Sequence, residues 1–405
     1  AAGTYSTQSD GQGPFVYISD NTDSLTLQAL DGSNATPVIL DGADQDLVLE
    51  TSSQANGGSL SISGLQIKNG RRGLEVTNLH LNLSGSTIAD NQIASADTDW
   101  NGASGLRVSG NVDVSISNCT FQNNRSLRSE SYYGNGGGAA YIDTKSLTIA
   151  GTTFTENESA VRGGALDLSG GINDTVSIVD TRFVGNLASR ATVSTSCDGA
   201  AIYAGSSRLT IARTLFFGNN SRAGAVCIEN KSTIDQSRFS NNVARDGVAA
   251  IRIGGYDSLL LTNSVFLANQ AGGTGEHSSV LHAYYGIKAY NNLFIDNVAT
   301  QDFYLKSGST RANNNTNYLN LIFNNVFMDA ERTAITGAAE AFAYVKNNFV
   351  DMSKVAIAQD KLFQEGNIHG DAPGVDGEYR PVSGSALIDK GLGDQAQLTL
   401  PVADA

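Results

Sequence analysis

Apolar and polar residues alternate with a period of two in short runs such as Ser146-Leu-Thr-Ile149 and Thr175-Val-Ser-Ile178, each closed by Gly- or Asn-rich breaks. That period sends successive side chains to opposite faces, so the runs predict short strands separated by turns, with no helical stretch. A longer period lies on top of the short one. The phrase aromatic-x-x-Asn returns as Phe121–Asn124, Phe154–Asn157, Phe183–Asn186, Phe216–Asn219, Phe239–Asn242, Phe266–Asn269 and Phe294–Asn297. Ile88–Asn91 is a variant ahead of it; Ile67 precedes the series and Phe327 and Phe349 follow it, all three without the Asn. Spacings from Ile67 onward are 21, 33, 33, 29, 33, 23, 27, 28, 33 and 22 residues, a basic unit of about 21–23 that accepts insertions.

A unit this short cannot bury its own apolar face, whereas unit stacked on unit can. The pattern therefore predicts an all-β, right-handed parallel β-helix, a solenoid of about eleven to thirteen rungs; the hand follows from the general preference for right-handed crossovers. At about 4.8 Å per rung, the ten steps from Ile67 to Phe349 span about 48 Å. The repeated Asn residues (Asn91, Asn124, Asn157, Asn186, Asn219, Asn242, Asn269 and Asn297) are expected to form a structural ladder, because stacked amides hydrogen-bond along the axis. Two residues before each aromatic, a second inward column is expected: Ser86, Cys119, Thr152, Thr181, Thr214, Ser237, Ser264, Asn292, Asn325 and Asn347. Cys119 is then a buried thiol. Cys197 and Cys227 fall near strand starts on adjacent rungs, and their five-residue offset allows a disulfide only if the 187–198 loop folds back.

Composition narrows the function. The balance of 26 Lys+Arg against 40 Asp+Glu, a net charge of −14, argues against nucleic acid held by phosphate neutralisation. No window approaches 18 apolar residues, so no transmembrane segment is expected in this chain. Three Cys make neither a disulfide framework nor a metal spacing. Acid clusters could hold Ca2+, yet no ligand spacing identifies a site, and no cofactor is expected. The insertions at 92–104, 125–137, 187–198 and 270–278 all follow the ladder Asn and precede a Gly-Ala-aliphatic strand start such as Gly164-Ala-Leu166. That puts them on one edge of the rod, where repeat proteins commonly bind.

The Phe-x-x-Asn and Gly-Gly-Ala-aliphatic phrases resemble the repeats of the polymorphic outer-membrane proteins, a family of bacterial surface adhesins. Asn367-Ile-His-Gly-Asp-Ala-Pro, Glu378-Tyr-Arg-Pro and Gly384-Ser-Ala-Leu-Ile-Asp-Lys-Gly391 are similar to the C-terminal signature of secreted bacterial β-helix proteins that carry interchangeable surface anchors. Ala2-Gly-Thr-Tyr-Ser6 and Val38-Ile-Leu-Asp-Gly42 resemble the first rungs of that group. The resemblance implies a secreted, cell-surface-associated protein, with residues 1–366 forming the β-helix and 367–405 a capping or tail segment ahead of an anchor. The absent signal peptide and anchor lead us to expect a piece of a longer precursor.

The inserted loops concentrate arginine. Arg125, Arg128, Arg162, Arg190, Arg222 and Arg245 place at least one guanidinium on each of five consecutive rungs, and Arg71 and Arg72 lie ahead of them. A stacked column of them would suit the carboxylates or sulfates of a polysaccharide; the alternative is that each pairs with a loop acid. Trp100 in the first long loop and Tyr132 and Tyr133 in the next could stack on sugar faces or lie down over the rod. For a lyase, His277 near Arg245 is the best base–cation pair available. For a glycosidase, Asp198-Gly199 and Asp246-Gly247 would share a register two rungs apart, about 9.6 Å, at the outer limit for a carboxylate pair. The pectinase and pectate-lyase motifs are missing. The expectation is an extracellular structural or adhesive protein that binds polysaccharide or a partner surface through the loop edge. End-to-end assembly into a homo-polymer through open strand edges is a further option, and a polysaccharide lyase or hydrolase is the alternative.

Overall fold

The computed structural model describes residues 3–6, 16–19, 24–29, 37–44, 47–52, 57–96, 102–128, 136–168, 175–189, 198–205, 207–255, 258–273, 278–306, 320–328 and 332–369. Among them the chain coils into four sheets, every strand pair parallel. Sheet I has twelve strands, from Gly3–Ser6 to Val326–Phe327; sheet II has seven two-residue strands, from Gln92–Ile93 to Gln270–Ala271. Sheets III and IV have thirteen each, running from Val16–Ser19 to Val355–Ala356 and from Ser24–Gln28 to Leu362–Glu365. One rung visits them in order: Thr87–Ala89, Gln92–Ile93, Leu106–Ser109 and Asp113–Ser117, before Thr120–Gln122 begins the next rung on sheet I.

The core is built from columns of like residues. Leu106, Val108, Val114 and Ile116 point inward from sheets III and IV and are buried, as are their counterparts in neighbouring rungs. From sheet I, Phe121, Phe154, Phe183, Phe216, Phe239, Phe266 and Phe294 are fully buried. Together with Phe327 they stack at centroid separations of 4.5–5.1 Å, with planes within 13°. Burial of each ring contributes about 3 kcal/mol and stacking about 1 kcal/mol more.

Two tight corners per rung set the register. Both use a residue in the left-handed region: Asn123 (φ 51°) and Asn241 (φ 54°) between sheets I and II, Asn118 (φ 51°) and Asn263 (φ 50°) between IV and I. Asn adopts this conformation at low cost, and the corner turns the next side chain inward. After the first corner that side chain is the repeated Asn. Seven successive Nδ2 to Oδ1 hydrogen bonds of 2.9–3.0 Å join Asn91 through Asn297. After the second corner come Ser86, Cys119, Thr152, Thr181, Thr214, Ser237, Ser264, Asn292 and Asn325, all buried.

The last rung departs from the expected register by one residue. Phe349 bridges to Val326 rather than pairing with Phe327, so Val350 takes the ring position in the core, and both residues are buried. Asn347 is the left-handed corner itself (φ 52°), and Asn348 is the inward amide, donating to Asn367 Oδ1 at 3.1 Å. The physical signal is the corner: Asn347 follows Asn324, and the residue after each corner enters the core. Asn367 and Ile368 still belong to the coil, since Asn367 Nδ2 donates to Val345 O at 2.8 Å and Ile368 bridges Phe349. Cys119 is a free, buried thiol, and burial pushes its ionisation up. Cys227 is disulfide-bonded; the chain's third cysteine, Cys197, lies outside the described residues.

Candidate ligand-binding face

The chain passes from sheet II to sheet III at the corner that takes the insertions, so the outer face of sheet III lies next to them. One register column there carries unusual chemistry: Glu75, Arg107, Tyr141, Asp167, Tyr203, Cys227, Arg252, His282 and Tyr304 are paired in sequence across the strands. Outward positions of a solenoid ordinarily face water. Here Asp167, Cys227 and His282 are fully buried and Tyr141, Tyr203 and Tyr304 nearly so. Buried polar groups need partners, and the corner segments supply them.

At the lower end of the column one carboxylate bridges two guanidiniums. Glu75 accepts from Arg72 Nη1 with one oxygen and from Arg107 Nη1 with the other. Arg72 Nε also donates to Ala103 O at 2.9 Å, and burial lowers the ionisation of this guanidinium below its ordinary value. In the middle, Asp167 Oδ2 accepts from Arg162 Nε at 2.9 Å and from the Gly136 amide at 2.6 Å. Burial by itself would lower the Arg162 value, but Asp167 and Tyr203 beside it raise it on balance. The guanidinium lies 4.1 Å over the Tyr203 ring, and Tyr203 Oη donates to Glu229 Oε1 at 3.1 Å. Burial pushes the Tyr203 phenol well above its usual value. A phenol held protonated and already donating to a carboxylate is unsuited to the proton abstraction a lyase requires.

The upper end is organised around a ring rather than an acid. Tyr284 lies two residues beyond His282, on the same outward side, and is half-buried. Arg252 Nη2 donates to Tyr284 Oη at 3.1 Å, with its guanidinium carbon 5.3 Å from the ring centroid; Lys306 Nζ lies 4.6 Å from the same centroid. His282 stacks on Tyr284 (4.5 Å, 6°), and Tyr304 meets His282 edge-on (4.8 Å, 73°).

Several candidates from the sequence take other places. Arg125 Nε and Nη2 both donate to Glu158 Oε2, at 3.0 and 2.7 Å, across the register pair Arg125–Glu158. Arg222 Nε is 3.2 Å from Asp246 Oδ2, and Arg245 is exposed beside it. Arg128 is half-buried. The expected guanidinium column therefore does not form as one stack: Arg125, Arg162 and Arg222 each engage a carboxylate. They also stand at different offsets from their ladder Asn, because the loops between differ in length. Nor do Asp198 and Asp246 stand in register. Asp198 is fully buried and its amide donates to Ala223 O at 3.3 Å, while the exposed Asp246 donates from its amide to Arg222 O at 3.2 Å. Gly199 adopts the left-handed corner (φ 59°), as Gly163 does (φ 60°), whereas Gly247 does not, so the two Asp-Gly pairs are not equivalent. Trp100, Tyr132, Tyr133, Arg190 and His277 lie outside the described residues. Among the described residues no group of three or more His, Cys, Asp or Glu could hold a metal ion, and no helix is long and apolar enough to cross a membrane.

The sheet III column was missed because each of its members sits between two apolar residues, as in Leu166-Asp-Leu168, Ile251-Arg-Ile253 and Phe303-Tyr-Leu305. Aligning the strands that come after each Gly-Ala start would have exposed it.

The four parallel sheets, the stacked corners and the inward ladders define the class of protein: this is a right-handed parallel β-helix. Residues 48–239 match the family model described as the right handed beta helix region, and the rungs on either side of that segment continue the same coil. No curated protein matches the sequence.

Proposed function

We propose that this chain is an extracellular, cell-surface-associated adhesive protein that binds polysaccharide along the outer face of sheet III and the loop edge beside it. The single observation that supports this reading most is the upper half of the outward column. There Arg252, Tyr284 and Lys306 bring two cations and a half-buried ring together on a rigid sheet. Sugars are recognised by aromatic rings and by side chains that can meet several hydroxyls or a carboxylate at once. A parallel solenoid repeats such positions every rung, at about 4.8 Å, which suits an extended polymer lying along the axis. Of the enzymatic alternatives the hydrolase finds less support, because Asp198 and Asp246 differ in register and burial; the lyase pair His277 and Arg245 is left to the product assay, since His277 lies outside the described residues.

The test is co-sedimentation of the protein with insoluble or immobilised polysaccharides of neutral, carboxylated and sulfated classes, paired with a reducing-end and unsaturated-product assay. Retention on at least one class without release of product is the expected result. Product release would replace adhesion by catalysis, and no retention on any class would remove the polysaccharide reading.

A further inference from the structure

We infer that the outer face of sheet I is an interface between two copies of this chain, packed face to face with their rods parallel. The upper part of the face differs from its own lower rungs. Outward positions there are Thr120, Gln122, Thr153 and Thr155, and from the Phe183 rung upward they turn largely apolar. Val184, Leu215, Leu267 and Leu293 are half-buried, while Phe217 on sheet I and Val298 on sheet II are 42% and 49% exposed. The insertions all enter elsewhere on these rungs. From Thr87–Ala89 to Leu293–Ile295, two residues separate each strand of sheet I from the sheet IV strand before it, and two from the sheet II position after it. A contiguous apolar face left bare along a rod marks a site of association.

Charge selects the partner and its orientation. Arg182 and Arg238 rise from the same face in one column, with Leu215 between them. Both are exposed and meet no carboxylate among the described residues. A cation left unpaired beside apolar side chains is complemented by an acid on whatever packs there. The face carries such an acid itself. Glu156, exposed and likewise without an ion pair, stands at the corner to sheet II. Its Cγ lies 3.6 Å from where a Cβ on Gly185 would be, which sets it level with the Arg182 rung. A two-fold axis along the rod lays the sheet IV edge of one copy over the sheet II edge of the other at the same height. Arg182 of each copy then meets Glu156 of the other. An axis across the rod would bring like edges together and set Arg238 against its own symmetry mate at the centre of the apolar region. The five rungs from Phe183 to Phe294 run about 24 Å and the face is about 20 Å wide, so two copies cover roughly 1,000 Å2, the lower limit for a specific interface. A reversible dimer is therefore expected. Sheets II and IV separate sheet I from sheet III along the rung, so the outer face of sheet III stays accessible in both copies.

Sedimentation equilibrium of the whole chain across a range of concentrations tests this, comparing wild type with Phe217→Ser, Phe363→Ser, Arg182→Glu and the double variant of Arg182→Glu with Glu156→Arg. All four positions are exposed, so circular dichroism is expected to show the coil intact in each. Phe363, 46% exposed on sheet IV, controls for the loss of an exposed ring on another face. Burying the exposed part of two Phe217 rings is worth a factor of about thirty in the dissociation constant. The expected result is a reversible wild-type dimer, weakened about thirtyfold by Phe217→Ser and unchanged by Phe363→Ser. Arg182→Glu should weaken it too, and the double variant should restore it. A wild type that stays monomeric up to about 1 mM would overturn the inference and leave the face to a different protein or to residues 370–405 of the chain itself. Equal weakening by Phe217→Ser and Phe363→Ser would overturn the site. No recovery in the double variant would overturn the parallel orientation, and species growing beyond the dimer would overturn the two-fold closure.

Discussion

Removing one rung of the amide ladder, by Asn186→Ala, should destabilise the coil more than any surface change. Asn186 Nδ2 donates to Phe154 O and to Asn219 Oδ1, both at 3.0 Å, and its Oδ1 accepts from the Asn157 amide at 3.1 Å and from Asn157 Nδ2 at 3.0 Å. Both neighbours, like Asn186, are fully buried, so water cannot replace the lost partner without entering the core. At about 1 kcal/mol net for each of the four bonds, the loss is about 4 kcal/mol before any desolvation penalty on the orphaned groups. That is a large share of the stability of an ordinary domain. The measurement is chemical denaturation followed by far-ultraviolet circular dichroism. Amide hydrogen exchange is added because a solenoid can unfold locally on either side of a weakened rung. Asn123→Ala is the comparison: it removes a half-buried corner amide that donates to Asp90 at 3.2 Å and leaves alanine at φ 51°, so a smaller loss of about 1–2 kcal/mol is expected there. Loss of less than about 1 kcal/mol in Asn186→Ala, or no greater loss than in Asn123→Ala, would refute the argument that the ladder holds the stack.

Other outcomes concern the corners and the outer column. Gly164→Ala puts a Cβ 2.2 Å from Ala200 O and is expected to cost about 3 kcal/mol, whereas Gly254→Ala meets nothing nearer than 3.9 Å and should be close to neutral; denaturation midpoints decide it. Arg162→Leu takes the guanidinium away from the buried Asp167 carboxylate and should cost about 3–5 kcal/mol, with much of the loss recovered in the double variant carrying Asp167→Asn. Additive losses in that cycle would contradict the pairing. Burial pushes the Tyr290 phenol up from 10.0 to about 12, against Phe323 at 5.6 Å. The unfolded chain ionises first, so this contribution is complete below pH 10.0 and is lost as pH rises towards about 12. Tyr290→Phe should flatten the alkaline fall in stability, and an unchanged alkaline profile would count against it.

The architecture was legible because its determinants are local and repeated. A Phe and an Asn three residues apart mark the sheet I strand and the corner after it in every full unit, and this sets the rung spacing, the ring stack and the amide ladder together. The register slipped only at Phe349, where the corner Asn347 lies two residues before the ring rather than three. The face of sheet III was not legible. Its members are single polar or aromatic residues between aliphatic ones, of changing type from Asp167 to Tyr203 to Arg252, so no repeated phrase announces them. Their burial depends on segments that cross over them from elsewhere in the chain, as the bond from Gly136 N to Asp167 shows. The arginines illustrate the same point. Sequence shows one on each rung, but loop length decides which acid it meets, and Glu158, Asp167 and Asp246 come from different offsets.

The central claim is that the outer face of sheet III is where a polysaccharide binds, and hydrogen exchange with and without a saturating polysaccharide that the protein retains tests it most directly. The account predicts added protection confined to the strands Ile251–Ile253, Ser279–Ala283 and Gln301–Leu305 and to the residues just beyond them, including Tyr284 and Lys306. Protection that falls instead on sheet I or sheet IV, or no change anywhere at a concentration where binding is complete, would contradict it.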